Sequence, residues 1–304
     1  MRGAIVAFAL TSVVLGFVGA APSARAAFPG ANGRIAYRFN RSSWQIHTIA
    51  ADGTGGQALT KRGRSWAPAW SADGSRIAFV HSSRWGDSIV SMNANGTGKT
   101  VVWDARRRSF PVDLSWSPDS GRLVFCAVFF ANPHSFPSRV FTVGLDGKGL
   151  TKVSGSHQDC DPEWSPDGTQ LVVTTERASG RSHIVTMNTD GTHRTAIAKG
   201  QDPNWSPDGS MVTFQTCCDR GHRTNIATVG ADGNGFSLVT HTRNRWESTP
   251  AFSPDGTEIV FSRTQTKSER SFGDLWSIHT DGTRAVRMTR TERTDEFEPD
   301  WQPT

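Results

Sequence analysis

One phrase recurs along this chain and restricts its fold more than any other feature. It reads Trp70-Ser-Ala-Asp-Gly, Trp116-Ser-Pro-Asp-Ser, Trp164-Ser-Pro-Asp-Gly, Trp205-Ser-Pro-Asp-Gly and Phe252-Ser-Pro-Asp-Gly. Seven residues after each aromatic an aliphatic opens an alternating run: Ile77, Leu123, Leu171, Val212 and Ile259. Phe28 and Ile35 keep the same offset, and Trp301 closes the series, so successive anchors stand 41 to 49 residues apart. A period of roughly 40 to 50 residues with turn signals in each unit fits one four-stranded propeller blade per repeat.

A second phrase, aliphatic-x-x-aliphatic-x-x-Asp-Gly, falls once per repeat, as in Ile46 to Gly53, Val140 to Gly147 and Leu275 to Gly282. Asp-Gly tolerates the positive φ angles of tight hairpin turns. Each repeat therefore reads as strand a ending at the aromatic, a Ser-Pro-Asp-Gly turn, strand b, a variable loop, strand c, an Asp-Gly turn and a short strand d. The expected fold is all-β, a six-bladed β-propeller over residues 27–304. Its C-terminal strand a, Glu296 to Trp301, completes the blade begun at the N-terminus and removes exposed sheet edges.

The phrase as it stands in Asp161-Pro162-Glu163-Trp164-Ser-Pro-Asp167-Gly168 and Asp202-Pro203-Asn204-Trp205-Ser-Pro-Asp208-Gly209, with Asp-Gly and Leu-Thr downstream, resembles the TolB-like (PD40, WD40-like) propeller repeat family. The resemblance covers essentially the whole chain after the leader. It implies the propeller fold and a bacterial binding protein. TolB proteins carry an α/β domain before the propeller and work in the periplasm with the lipoprotein Pal. This chain enters its first repeat directly after the leader, so the expectation is a propeller without that domain.

The leader is residues 1–26. Met1-Arg2 is followed by an uncharged apolar run from Ala4 to Ala20, then Pro22 and the small-x-small pattern Ala24-Arg25-Ala26. This layout predicts a cleaved secretory signal peptide, and hence a secreted or periplasmic protein with no membrane span after cleavage. Losing Arg2 and Arg25 lowers the formal charge from +5 to +3, too mild a balance to suggest nucleic acid. Nothing in the chain suggests an oligomer, and a monomer is expected. Four cysteines, Cys126, Cys160, Cys217 and Cys218, sit in a compartment that favours disulfides. The expectation is one disulfide bracing the loops, from Cys160 to Cys217 or Cys218.

Function should lie where the repeats differ. The a–b and c–d turns are regular and share one face. The b–c and d–a loops share the other face and are long and rich in Arg, Trp and His. Loops on a rigid scaffold carry binding, and Arg and Trp dominate binding hot spots. The candidate binding face comprises Trp44, Trp85, Arg107, His134, His183, His222, Arg245 and Trp246, with a protein or an anionic envelope polymer as partner. Trp70, Trp116, Trp164, Trp205, Phe252 and Trp301 are read as structural wedges between blades.

Acids recur near the ends of the a strands. Asp113, Asp161, Asp202 and Glu298 stand three residues before the aromatic, and Asp159, Glu247 and Glu296 stand five before it. The favoured reading is that they cap loops and pair with nearby arginines. The alternative is an axial site for a hard cation such as calcium. No cofactor is otherwise expected. No Gly-x-Ser-x-Gly elbow is present, so catalysis is not expected. The competing reading is a metal-dependent hydrolase or lyase using the axial acids and loop histidines.

Overall fold

The computed structural model describes residues 28–105, 109–130, 137–155, 157–177, 181–216, 224–265, 272–291 and 294–304. These residues form twenty-three strands and, among them, no helix. The first sheet orders β23 (Asp295–Pro303), β1 (Asn32–Asn40), β2 (Trp44–Ile49) and β3 (Gln57–Ala58). The next contains β4 (Arg64–Trp70), β5 (Arg76–Ser83), β6 (Gly86–Asn93) and β7 (Thr100–Asp104), and the third β8 (Ser109–Trp116), β9 (Arg122–Phe129), β10 (Ser138–Gly144) and β11 (Thr151–Lys152).

A seven-stranded sheet follows: β12 (Gln158–Trp164), β13 (Gln170–Glu176), β14 (Ser182–Asn188), β15 (Thr195–Trp205), β16 (Met211–Thr216), β17 (Ile226–Gly230) and β18 (Ser237–Leu238). The last sheet is β19 (Arg245–Phe252), β20 (Glu258–Gln265), β21 (Gly273–His279) and β22 (Val286–Arg287). All pairings are antiparallel, and β23 closes the first sheet with Ile35 opposite Trp301. In the seven-stranded sheet β15 pairs with β14 through Thr195 to Lys199 and with β16 through Gly200 to Trp205, so one strand serves two neighbours without a loop between them.

The turns explain why these sequences fold locally as they do. In the first Ser-x-Asp-Gly turn, the Ser71 hydroxyl donates to Asp73 Oδ1 at 2.6 Å, the amide of Ser75 donates to the same oxygen at 3.0 Å, and the Arg76 amide donates to Ser71 Oγ at 2.9 Å. Gly74 sits at φ 65°, a region that favours glycine. Ser206 and Asp208 repeat the pattern, as do Ser253 and Asp255. In the Asp-Gly turns the side chain of Thr54 and its amide hold the Asp52 carboxyl below the usual carboxylate range.

The periodic apolar residues make the core. Ile35, Ile77, Leu123, Leu171, Val212 and Ile259 are all fully buried, and the six aromatics from Trp70 to Trp301 are buried beside them. Trp70 packs in a cluster with Ile46, Leu59 and Phe79, and Trp205 with Ile184, Val212 and Phe214, so each aromatic joins residues of two successive repeats. The inner strands β4, β8, β12, β15, β19 and β23 all contribute to the wall of one central cavity. Sheets radiating from a common axis in this way define a β-propeller.

Candidate functional site

Every inner strand carries the same irregularity. The register against its neighbour shifts between Trp66 and Ala69, Val112 and Leu114, Cys160 and Glu163, Gln201 and Asn204, and Ser248 and Ala251, with the matching shift on β23 opposite Ala36 to Arg38. At each shift one residue adopts a left-handed backbone: Ala67, Asp113, Asp161, Asp202, Thr249 and Glu298, with φ between 36° and 57°. A β-bulge of this kind puts an extra residue into one strand and re-aims its side chain. Here it turns the position three before each aromatic onto the cavity wall. The sequence reading did not foresee the bulges. The signal was available, since a proline follows the bulged residue at Pro68, Pro162, Pro203, Pro250 and Pro299.

The resulting cavity, about 140 Å³, is lined by two stacked rings of side chains, with Phe28 also on its wall. One ring is the bulge residues. The other is the residues directly before the aromatics: Ala69, Ser115, Glu163, Asn204, Ala251 and Asp300. Both rings are stitched from one inner strand to the next. In the bulge ring the Ala67 amide donates to Glu298 Oε2 at 2.7 Å, the Glu298 amide to Thr249 Oγ1 at 3.3 Å and the Asp202 amide to Asp161 Oδ2 at 3.4 Å. In the other ring the Trp70 amide donates to Asp300 Oδ2 at 2.6 Å, the Phe252 amide to Asn204 Oδ1 at 2.7 Å and the Trp205 amide to Glu163 Oε2 at 3.2 Å.

These contacts do not neutralise the acids. Burial, then the charge of Asp161 and a hydrogen bond with it, push Asp113 well above the ordinary carboxyl range. Burial and the Asp161 charge push Asp202 up to about 8. Burial pushes Asp300 up to about 7, and burial with the Asp300 charge raises Glu163 well above its usual value. Burial therefore makes Asp113, Glu163, Asp202 and Asp300 hold their protons more tightly than exposed carboxyls do.

The acids five before the aromatics behave differently. Asp159 is fully buried and takes a two-pronged contact from Arg194, at 2.7 and 3.0 Å. Glu247, also fully buried, accepts from Arg263 Nε at 2.7 Å, while Glu296 is bonded by the hydroxyls of Thr289 and Thr291. Arginine pairing thus describes Asp159 and Glu247, and it describes Glu298, whose Oε1 lies 3.1 Å from Arg38. It does not describe Asp113, Asp161 or Asp202, which meet one another and backbone amides at the axis. Three ligand atoms, from Asp113, Cys160 and Asp161, lie within 4.8 Å of one another, but the Cys160 sulfur is already bonded.

That bond is a correction. Cys160 pairs with Cys126, not with Cys217 or Cys218, which lie outside the described residues. The bulge at Asp161 sets Cys160 against β9 of the preceding sheet, and the two Cα atoms stand 5.0 Å apart, within disulfide reach. The link therefore ties two sheets together beside the axis instead of bracing loops.

Of the candidate binding face, Arg107, His134 and His222 also lie outside the described residues. Trp44 opens β2 and stands edge-on to Trp66 at 5.6 Å, with the guanidinium groups of Arg38 and Arg64 at 4.9 and 4.8 Å from its ring. Arg38 bridges this stack to Glu298 of the axial ring. Trp85, in the β5–β6 turn, is 71% exposed with Arg84 over its ring, and Trp246 near the start of β19 is 44% exposed. Arg245 begins β19, and His183 lies on β14 between Thr175 and Lys199, with its Nδ1 buried and unpaired.

The sheets and the axial cavity lined by their inner strands define a β-propeller of the repeat kind. The chain belongs to the TolB beta propeller domain (PD40) family, whose model matches residues 23–304. It is 29% identical over 277 residues to the Tol-Pal system protein TolB of Bordetella pertussis, covering 89% of this chain and 60% of that protein. It is 27% identical over 210 residues to the uncharacterized peptidase YuxL of Bacillus subtilis, covering 66% of this chain and 30% of that protein. The chain thus spans less than two thirds of these curated relatives. Among solved structures, TolB from Acinetobacter baumannii superposes with a TM-score of 0.74 at 21% identity, over 90% of this chain and 67% of that one. An oligogalacturonate lyase from Vibrio parahaemolyticus shares the fold at a TM-score of 0.61 and 12% identity, over 88% of this chain and 78% of that one.

Proposed function

We propose that this chain is an exported, non-catalytic propeller that binds a protein or an anionic envelope polymer through its b–c and d–a loop face. The reading counts the seven-stranded sheet as two blades sharing β15, which makes six blades in all, and takes residues 1–26 as a cleaved signal. The observation that carries it is the distribution of exposed aromatics. Of the four exposed ones among the described residues, Trp85, Phe130 and Trp246 fall on the loop face, and only Phe236 lies towards the regular turns. The Arg38–Trp44–Arg64 stack adds two guanidinium groups held against an aromatic ring. No helix among the described residues is long and apolar enough to cross a membrane.

The test is capture from the envelope and culture fluid of the producing organism, with the chain as bait. A control bait carries Trp85→Ala, Arg245→Ala and Trp246→Ala, checked for an unchanged unfolding midpoint. A partner held by the first bait and lost by the second supports the loop face. A partner indifferent to the three changes refutes it.

Calcium at the axis is the second reading. Asp113, Asp161, Asp202 and Glu298 would supply its oxygens, of the donor type a hard cation prefers. Calorimetric titration at pH 8 that shows no heat for calcium would end it.

A further inference from the structure

A groove of about 460 Å³ runs between the first two sheets, apart from the axial cavity and reaching the d–a loop before β4, and within the size range of small-molecule sites. Its origin lies in a departure from the repeat. Phe79 on β5 stands opposite Val90 on β6, and two residues on comes His81. In the last sheet the matching residues are Phe261, Trp276 and Arg263, and the Arg263 guanidinium fills the space, 5.0 Å from the Phe261 ring and 4.2 Å from the Trp276 ring. In the first sheet Phe39 stacks on His47 at 4.3 Å in the same place. Val90 is too small to do this, and the space beside Phe79 stays open. The groove floor is apolar: Leu59, Phe79 and Val90 are buried, and Val101 forms an exposed lip.

The rim is cationic for a second, independent reason. Lys99 occupies the place that Arg194 holds two repeats later, counted back from the paired residues Val101 and Ala196. Arg194 is neutralised by Asp159, five before the aromatic Trp164. Five before Trp70 stands Ser65, which engages His81 instead of a cation. Lys99 donates only to the carbonyls of Leu59 and Gly96. Lys61 and Arg62 complete the rim, and among the described residues no carboxylate lines the groove. Gly63, at φ 68°, holds this loop so close that a Cβ there would meet the His81 ring at 2.6 Å.

We propose that this groove binds the carboxylate of a free acyl chain, its head on Lys61, Arg62 and Lys99 and its tail along Leu59, Phe79, Val90 and Val101. The charge of the rim and the apolar floor select an anionic amphiphile over a neutral lipid or a sugar. The inference does not rest on the loop-face reading, and the two can fail separately.

The test is a fluorescence titration of the full chain with 11-(dansylamino)undecanoic acid, followed by displacement. One saturable site is expected, with decanoate displacing the probe and decanol doing so about tenfold less well, as the loss of a charge-assisted contact implies. Lys99→Met should weaken binding about tenfold by the same argument. Val90→Trp, which restores the packing around Trp276, should abolish it. Val101→Asp, a change at an exposed lip that leaves the core intact, should also abolish it and covers the case in which Val90→Trp fails to fold. Equal displacement by decanol, binding unchanged in Lys99→Met and Val101→Asp, displacement by decyl phosphate but not decanoate, or no saturable site up to about 100 µM would each overturn the proposal.

Discussion

Asp300 offers the sharpest test of the axial carboxyls. Its side chain lies in the central cavity, accepts the Trp70 amide, and is pushed by burial from an ordinary value of 3.8 to about 7. The folded carboxyl therefore holds its proton more tightly than the unfolded one. Its stabilising contribution is complete below pH 3.8, falls as pH rises towards 7, and is flat above that. Roughly 3 kcal/mol is lost as the pH rises from 5 through 7. Asp300→Asn keeps an oxygen for the Trp70 amide and removes the ionisation. It also relieves the charge on Glu163, an effect of the same sign. We expect guanidinium unfolding, followed by tryptophan fluorescence, to show the variant gaining on the parent by roughly 3 kcal/mol between pH 5 and pH 8. A stability difference that does not change with pH would refute the description of Asp300 as a carboxyl that burial holds protonated.

Replacing Cys126 and Cys160 by alanine should lower stability by about 3–4 kcal/mol in denaturant titrations, from the loop entropy of a 34-residue link. Intact-mass measurement with and without reductant should find that bridge in the parent. Trp164→Ala should cost about 3–5 kcal/mol, because the ring is buried in a cluster with Val124 and Leu171, whereas Trp85→Ala should stay within about 0.5 kcal/mol of the parent. Glu247→Gln leaves the largely buried Arg263 without its counter-charge and should lower stability by about 3–5 kcal/mol, readable as a drop in the thermal midpoint.

What the sequence disclosed and what it hid follow different physics. The repeat was legible because each unit solves the same local problem: an aromatic to bury, a Ser-x-Asp-Gly turn to close, an aliphatic seven residues on. Ile35 and Ile259, far apart in the chain, both end fully buried for that reason. The bulges were hidden because they depend on register between strands, which no single strand encodes, although the prolines after Asp161 and Asp202 mark the place. The partner of Cys160 was hidden because it is set by which sheets become neighbours at the axis. The absence of a loop between the two halves of β15 was hidden too, since Lys199 and Gly200 read as ordinary strand and turn residues. The convergence of Asp113, Asp161 and Asp202 on the axis was legible as the less favoured alternative, because their common offset from the aromatics puts them on the innermost strands.

The pairing of β1 with β23 also bears on how the molecule comes to exist. Ile35 leaves the ribosome long before Trp301, its partner. During that interval β1 presents a bare inner edge, the kind of edge that templates association with other chains. Most of the sheets can assemble from nearby residues as they emerge, but the ring becomes a ring only with its last strand. Contacts of such long range are slow to form. The vulnerable period of this protein is therefore its synthesis, and a chaperone that shields β1 until β23 arrives would protect it better than one that acts on the finished ring.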